Sequence, residues 1–191
     1  MRTLAVGVMI LLANVATHSS LAQDKQPSKK NLATRIMDKV IDVKFSKKKY
    51  AFTLAEVAKG VKFKYQIVVR QDIPNVHPMS QRTANNNAGK SKLYAFEMIS
   101  GNKQRYCIRD VGLGIPPQRV FRTIQKGKYK QSFTWDGRNW SGPSDFDNPK
   151  GKPFPPGTYK LTVSFVGQVK TDEGIQRYRV ERSVAVILTQ R

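Results

Sequence analysis

Few residues in this chain are of types that do covalent or metal chemistry: it has one cysteine and two histidines. Cys107 stands between Arg105 and Arg109 in strand-like alternation, and flanking cations lower a thiol pKa. His77, in Asn75-Val-His-Pro-Met79, is the histidine a Cys107/His77 dyad would need as its base. Nothing in the spacing sets the two side by side, so a loop histidine and an inert strand cysteine are the alternative. His77 and Met79 together offer imidazole and thioether, which suit Cu(I), but two ligands do not close a site. Asp145, Asp147 and Asn148 supply oxygens without the spacing or closing glutamate of a calcium loop. A single cysteine also excludes an intrachain disulfide and a multi-cysteine zinc site. The expectation is no catalytic residue, no metal and no cofactor.

Charge is the stronger signal. The 191 residues include 34 Lys+Arg against 13 Asp+Glu, a formal net charge of +21, while 39% hydrophobic residues suffice for a core. Many cations fall at alternate positions of strand-like runs: Lys62 and Lys64, Lys128 and Lys130, Arg177 and Arg179. Arg119, Arg122 and Lys126 extend a stretch, residues 111–135, that carries no acid. These nine are the candidate polyanion-binding residues. Solubility alone is the competing account of the charge.

The elements that must position them read mainly as strands. Val61, Phe63, Tyr65, Ile67 and Val69 alternate with Lys62, Lys64, Gln66, Val68 and Arg70, the period of a half-buried strand. Thr53 to Gly60 before it has the Thr53/Glu56 spacing of a capping box and a terminal glycine. Strands are expected at 40–45, 93–99, 104–109, 119–125, 128–135, 158–166 and 176–188, with a basic corner at Lys47-Lys-Lys49 and a short helix or arm over 23–39, where Leu32, Ile36, Met37 and Val40 stand at helical spacing. Residues 93–109 are expected to form one hairpin and 119–135 a second, turning at Lys126-Gly127. Asp72 to Lys92, with Pro74, Pro78 and three successive asparagines, reads as a long loop. Val111-Gly-Leu-Gly114 lacks the third glycine of a phosphate-binding loop and reads as a turn into Pro116-Pro117. The aromatics beside the cations fall on the opposite, inward side of each strand, which argues against base stacking and a nucleic-acid partner.

Met1 to Ala22 has the form of a cleavable signal peptide: Arg2, an apolar run Leu4–Val15, then Ser19-Ser-Leu-Ala22. The run is shorter than the about 20 residues that span a bilayer. Cleavage after Ala22 leaves 33 basic and 13 acidic residues, a net +20, on a chain expected to be periplasmic or secreted.

Phe133-Thr-Trp-Asp-Gly-Arg-Asn139 with Pro155-Pro-Gly-Thr-Tyr159 resembles a W-D-G-[KR]-[DN]…G…P-x-G-x-Y signature. That signature occurs in the C-terminal immunoglobulin-like domain of the flagellar hook-capping protein, and the segment is also similar to the bacterial intracellular proteinase inhibitor family. The resemblance covers about residues 115–166, and this chain inserts Trp140 to Pro153 where those families have a short loop. It implies a noncatalytic immunoglobulin-like module. Trp135, Asp136, Gly137, Pro156, Gly157 and Tyr159 are the expected structural turn motif, with a type II turn at Pro156-Gly157.

The expected protein is an all-β, antiparallel immunoglobulin-like β-sandwich of about seven or eight strands over residues 40–191. Its expected role is that of an exported binding or accessory module for an anionic polymer or an acidic protein. A proteinase inhibitor presenting loop 72–92 or 138–155 is the second reading, and an enzyme using Cys107 and His77 the third.

Overall fold

The computed structural model describes residues 31–78, 93, 95–101, the backbone of 104–107, 119–139 and 150–191. The signal segment 1–22, the arm up to residue 30, the Val111–Gly114 turn and residues 140–149 of the insertion lie outside these.

The chain begins with helix α1 (Leu32–Val40), with Asn31 as its N-cap: the Asn31 side chain accepts the Thr34 N–H. The strands are β1 (Ile41–Phe45), β2 (Lys49–Thr53), β3 (Val61–Val69), β4 (Ile73–Pro78), β5 (Phe96–Gly101), β6 (Gln104–Cys107), β7 (Arg122–Ile124), β8 (Gly127–Trp135), β9 (Gly157–Thr171) and β10 (Gly174–Thr189). A one-turn helix α2 (Leu54–Ala58) joins β2 to β3. Both halves of its capping box form, Thr53 Oγ1 taking the Glu56 N–H while the Glu56 carboxylate takes the Thr53 N–H. Gly60, at φ +95°, ends that turn as the sequence anticipates.

Strand dominates the described residues, so the fold is all-β with two sheets and a short helix, and one sheet curls into half a barrel. The smaller sheet has the order β1-β3-β8, all antiparallel. The larger runs β2-β10-β9-β4-β7, with β5 also against β9 and β6 against β5. Their apolar faces meet in one core. Phe63 of β3 stacks on Phe133 at 5.1 Å and meets Tyr50 of β2 edge-on at 4.8 Å; Trp135 meets Phe154 at 5.2 Å. Trp135, Tyr50 and Phe63 are each 1% exposed, and burial on this scale is the main stabilising term of such a fold.

Four features depart from the sequence expectation. First, β10 pairs with β2 in parallel, Ala185 opposite Lys49 through Thr189 opposite Thr53. Second, the Lys126-Gly127 hairpin does not form. β7 pairs with β4 in the larger sheet and β8 with β3 in the smaller, so the chain crosses between sheets at that point. The crossing is held by the Lys126 N–H to Asp72 Oδ1 at 2.7 Å and the Tyr129 hydroxyl to the Gln125 carbonyl at 2.7 Å. Third, residues 73–78 of the expected loop form β4. Its register shifts between Ile73 and Val76, and Asn75 takes φ 56°, so Pro74 sits in an irregularity where no ladder N–H is required of it. Fourth, β2 adds a strand where only a basic corner was expected.

Arg182 explains a gap in the apolar alternation of β10. It stands at an inward position between Val180 and Val184, and its guanidinium reaches Asp38 of α1 at 3.3 Å and Asp42 of β1 at 3.0 Å. It therefore ties the helix and the smaller sheet to β10 of the larger one.

Candidate polyanion-binding face

The smaller sheet buries one side and opens the other to solvent. In β3 the burial alternates residue by residue, with Val61, Phe63, Tyr65, Ile67 and Val69 inward and Lys62 and Lys64 exposed. In β8, Phe133 and Trp135 are buried while Lys128, Lys130, Ser132 and Thr134 are exposed. The register aligns these outward residues in rows. Asp42, Val68 and Lys128 form one row; Lys44, Gln66 and Lys130 the next; Lys64 stands opposite Ser132, and Lys62 opposite Thr134.

Five lysines thus share one face: Lys44, Lys62, Lys64, Lys128 and Lys130. Strand spacing sets Lys44 and Lys130, either side of Gln66, roughly 10 Å apart, and Lys64 and Lys130 are diagonal neighbours at about 7–8 Å. These separations are at or within the Debye length of about 8–10 Å at ordinary ionic strength, so the charges repel one another and an anion lying across them relieves that repulsion. The one carboxylate in these rows, Asp42, is already engaged by Arg182 at 3.0 Å and Arg70 at 3.8 Å. The inward aromatics pack on each other and present no stacking surface on this side.

The nine expected cations do not form a single patch. Lys62, Lys64, Lys128 and Lys130 converge as described. Arg177 and Arg179 lie on β10 in the other sheet, where Arg179 pairs with Glu181 at 2.8 Å and the Arg177 carbonyl accepts the Asn31 amide at 2.8 Å. Arg119, Arg122 and Lys126 belong to the segment entering and leaving β7, a strand of the larger sheet. Lys44 was not among the expected set. It alternates with Val43 and Phe45 in the sequence, but only the β1–β3 register shows that it joins the same face.

The turn motif forms a tied corner. The Trp135 indole N–H donates to the Arg138 carbonyl at 2.8 Å, the Arg138 N–H to Asp136 Oδ1 at 3.2 Å, and Lys150 Nζ to Asp136 Oδ2 at 2.7 Å. Burial works to raise the Asp136 pKa, but the Lys150 ammonium and the nearby N–H groups outweigh it and hold the carboxyl below its ordinary value. Gly137 takes φ +79°, and a β-carbon there would lie 2.6 Å from Val57 Cγ1. The Phe154 N–H donates to the Gly137 carbonyl at 2.8 Å, and the Tyr159 hydroxyl to the Pro155 carbonyl at 2.8 Å, closing the far side. Gly157 has φ 158°, extended rather than the about +80° of a type II turn, because it already pairs with Leu188 as the first residue of β9.

The structure does not bring Cys107 and His77 together. Cys107 lies opposite Met98, itself opposite Thr162, whereas His77 lies opposite Gln168. Those rows lie six positions apart along β9, about 20 Å of strand. His77 Nδ1 is instead 3.0 Å from the Val120 carbonyl. Met79 and the Asp145, Asp147, Asn148 group lie outside the described residues. Among the described residues no three His, Cys, Asp or Glu side chains gather to hold a metal, and no helix is long and apolar enough to cross a membrane.

No family model, curated protein or solved structure matches the chain.

Proposed function

We propose that this chain is an exported, noncatalytic binding module, and that the open face of its β1-β3-β8 sheet takes an anionic polymer or the acidic surface of a partner protein. The observation that carries this is the convergence of Lys44, Lys62, Lys64, Lys128 and Lys130 on one exposed sheet face whose only carboxylate is already paired. A flat array of ammonium groups suits a repeating polyanion, because lysine acts as a point charge without the geometric demand of a bidentate arginine. The absence of exposed rings among these lysines favours charge recognition over base stacking, so nucleic acid is the weaker fit.

We read the two sheets around one core as an immunoglobulin-like sandwich, on the strength of the Trp135-Asp136-Gly137 corner and its likeness to the hook-capping and proteinase inhibitor modules. We read Met1–Ala22 as the signal that places the module in a periplasm or outside the cell.

The test is retention on immobilised heparin through a salt gradient. Retention lost at low salt on changing Lys64 and Lys130 together to Glu, with the circular dichroism spectrum unchanged, is the expected result. Absence of retention by the unaltered protein at low salt overturns the proposal.

A further inference from the structure

A second surface has the opposite character. Between α1, the entry to β4 and the β9–β10 turn runs an open, largely apolar groove of about 450 Å³. That volume lies within the about 300–1,000 Å³ of clefts that seat anchoring side chains or small ligands. One wall is the outer face of α1, where Leu32 and Ile36, one helical turn apart, remain 55% and 48% exposed. Ile73 and Val169 line it as well and are themselves nearly buried. Single exposed aliphatics are ordinary; two on one helix face, opening into a shared cleft, form a surface suited to a partner.

The charge around the groove says which partner. The chain has 13 acidic residues against 34 basic ones, yet Asp72, Asp172 and Glu173 all line this groove, with Lys170 as the only lysine among the lining residues. Their carboxylates stay available. Asp72 gives one oxygen to the Lys126 N–H, and Glu173 takes a hydrogen bond from Gln176 at 2.9 Å. A strongly basic protein has here a local negative rim around an apolar floor, so an anionic lipid or fatty acid is disfavoured and a cationic, apolar segment is favoured.

We propose that this groove docks a short helical segment of a partner protein that carries apolar side chains one turn apart, flanked by Lys or Arg. The apolar side chains pack against Leu32 and Ile36, as a helix laid along a helix does, and the flanking cations face Asp72, Asp172 and Glu173. None of the groove's lining residues belongs to the lysine face, so the module can hold a polyanion and a basic peptide at once.

The probe is a labelled dodecapeptide of Leu and Lys at helical spacing, titrated into the protein by fluorescence anisotropy, with a Leu/Glu peptide of the same pattern as control. The expected result is saturable binding of the Leu/Lys peptide despite the protein's net positive charge. Ile36→Asp and Glu173→Lys each weaken it at least tenfold, and Lys64→Glu leaves it within twofold. Ile36 is half exposed, so its substitution leaves the core intact. The Leu/Glu peptide, attracted to the lysine face, is indifferent to Ile36→Asp. Absence of Leu/Lys binding, or binding unaffected by Ile36→Asp, overturns the proposal. Concentration-dependent dimerisation abolished by Ile36→Asp overturns it in favour of a second copy as occupant. Peptide binding that emerges only when Lys25, Lys29 and Lys30 are changed to Glu overturns it in favour of the chain's own N-terminal arm.

Discussion

The Thr34 hydroxyl accepts the backbone N–H of Arg179, 145 residues further along the chain, at 3.1 Å. Two residues before Arg179 the same strand is met again, where the Asn31 side-chain amide donates to the Arg177 carbonyl at 2.8 Å. Strand β10 is covered by β2 only over Ala185–Thr189. Its earlier residues on that side would form an open edge, and α1 occupies part of it with side-chain hydrogen bonds in place of a strand. Exposed edges template unwanted pairing, and covering one with a helix is a common remedy.

Replacing Thr34, 7% exposed, by Val keeps its shape and removes the acceptor. The Arg179 N–H is then left without its bond, which costs about 1–3 kcal/mol. Chemical denaturation is expected to show a lower midpoint at unchanged slope, with faster hydrogen exchange at the Arg179 amide. An unchanged midpoint would mean that water replaces the hydroxyl and that α1 is not an edge cover.

The lysine face predicts a graded salt dependence. If five lysines displace counterions from a polyanion, the log–log slope of affinity against salt is roughly −3 to −5, and each Lys→Gln change reduces its magnitude by about one. Lys44→Gln is expected to act as strongly as Lys64→Gln, because the two are on the same face. Arg177→Gln, on the other sheet, is expected to change the slope little. Equal effects from all basic residues would mean that net charge, and not this face, governs retention.

Gly137→Ala is expected to destabilise the fold by about 2–3 kcal/mol. Part is the about 1–2 kcal/mol cost of a left-handed conformation with a side chain, and the remainder is the contact with Val57 Cγ1. Introduced into a Val57→Ala background, the same change should cost only the conformational part, so the two substitutions are non-additive in a double-mutant cycle. Additivity would show that the corner relaxes away from Val57.

The Asp136 carboxyl is held below its ordinary value of 3.8 by Lys150 and nearby N–H groups, against the opposing effect of burial. Its ionised form is therefore favoured in the folded state. The resulting stability is present above pH 3.8 and is lost as pH falls through the lowered folded value. Since this side chain is 36% exposed, the effect is small and screened by salt. The difference in unfolding midpoint between the protein and Asp136→Asn is expected to narrow steadily as pH falls from 6 to 3. A constant difference across that range would assign the Asp136 contribution to its geometry alone.

Local periodicity carried much of the fold. The helix over Leu32–Val40, the Thr53/Glu56 capping box and the two faces of β3 and β8 are each set by contacts a few residues apart, and all are visible as spacing. What escaped is non-local. Tyr50 and Phe52 alternate over too short a run to announce β2, whose partner begins at Ala185. Pro74 and Pro78 made residues 73–78 look like loop, since a bulge that excuses a proline leaves no mark in the residue order. At Lys126-Gly127 a glycine turn between two strand-like runs normally signals a hairpin. Here each run finds a better partner in a different sheet. The candidate site shows the same division. Alternation placed Lys62, Lys64, Lys128 and Lys130 outward, but which strands lie side by side decided that Lys44 joins them and that Arg177, Arg179, Arg119, Arg122 and Lys126 do not.

The parallel pairing of β10 with β2 bears on when the molecule can exist. Thr189 Oγ1 reaches the Phe52 carbonyl at 3.4 Å across 137 residues of sequence, and β10 stands between β2 and β9 in the larger sheet. A chain emerging from the ribosome has β1, β3 and β8 available long before the strand that joins β2 and α1 to the rest. Long loops must close before that strand contributes anything, which slows folding. Until residues 174–189 arrive, β2 has no strand to join it to β9, so completion of the larger sheet is expected to be one of the last events of synthesis.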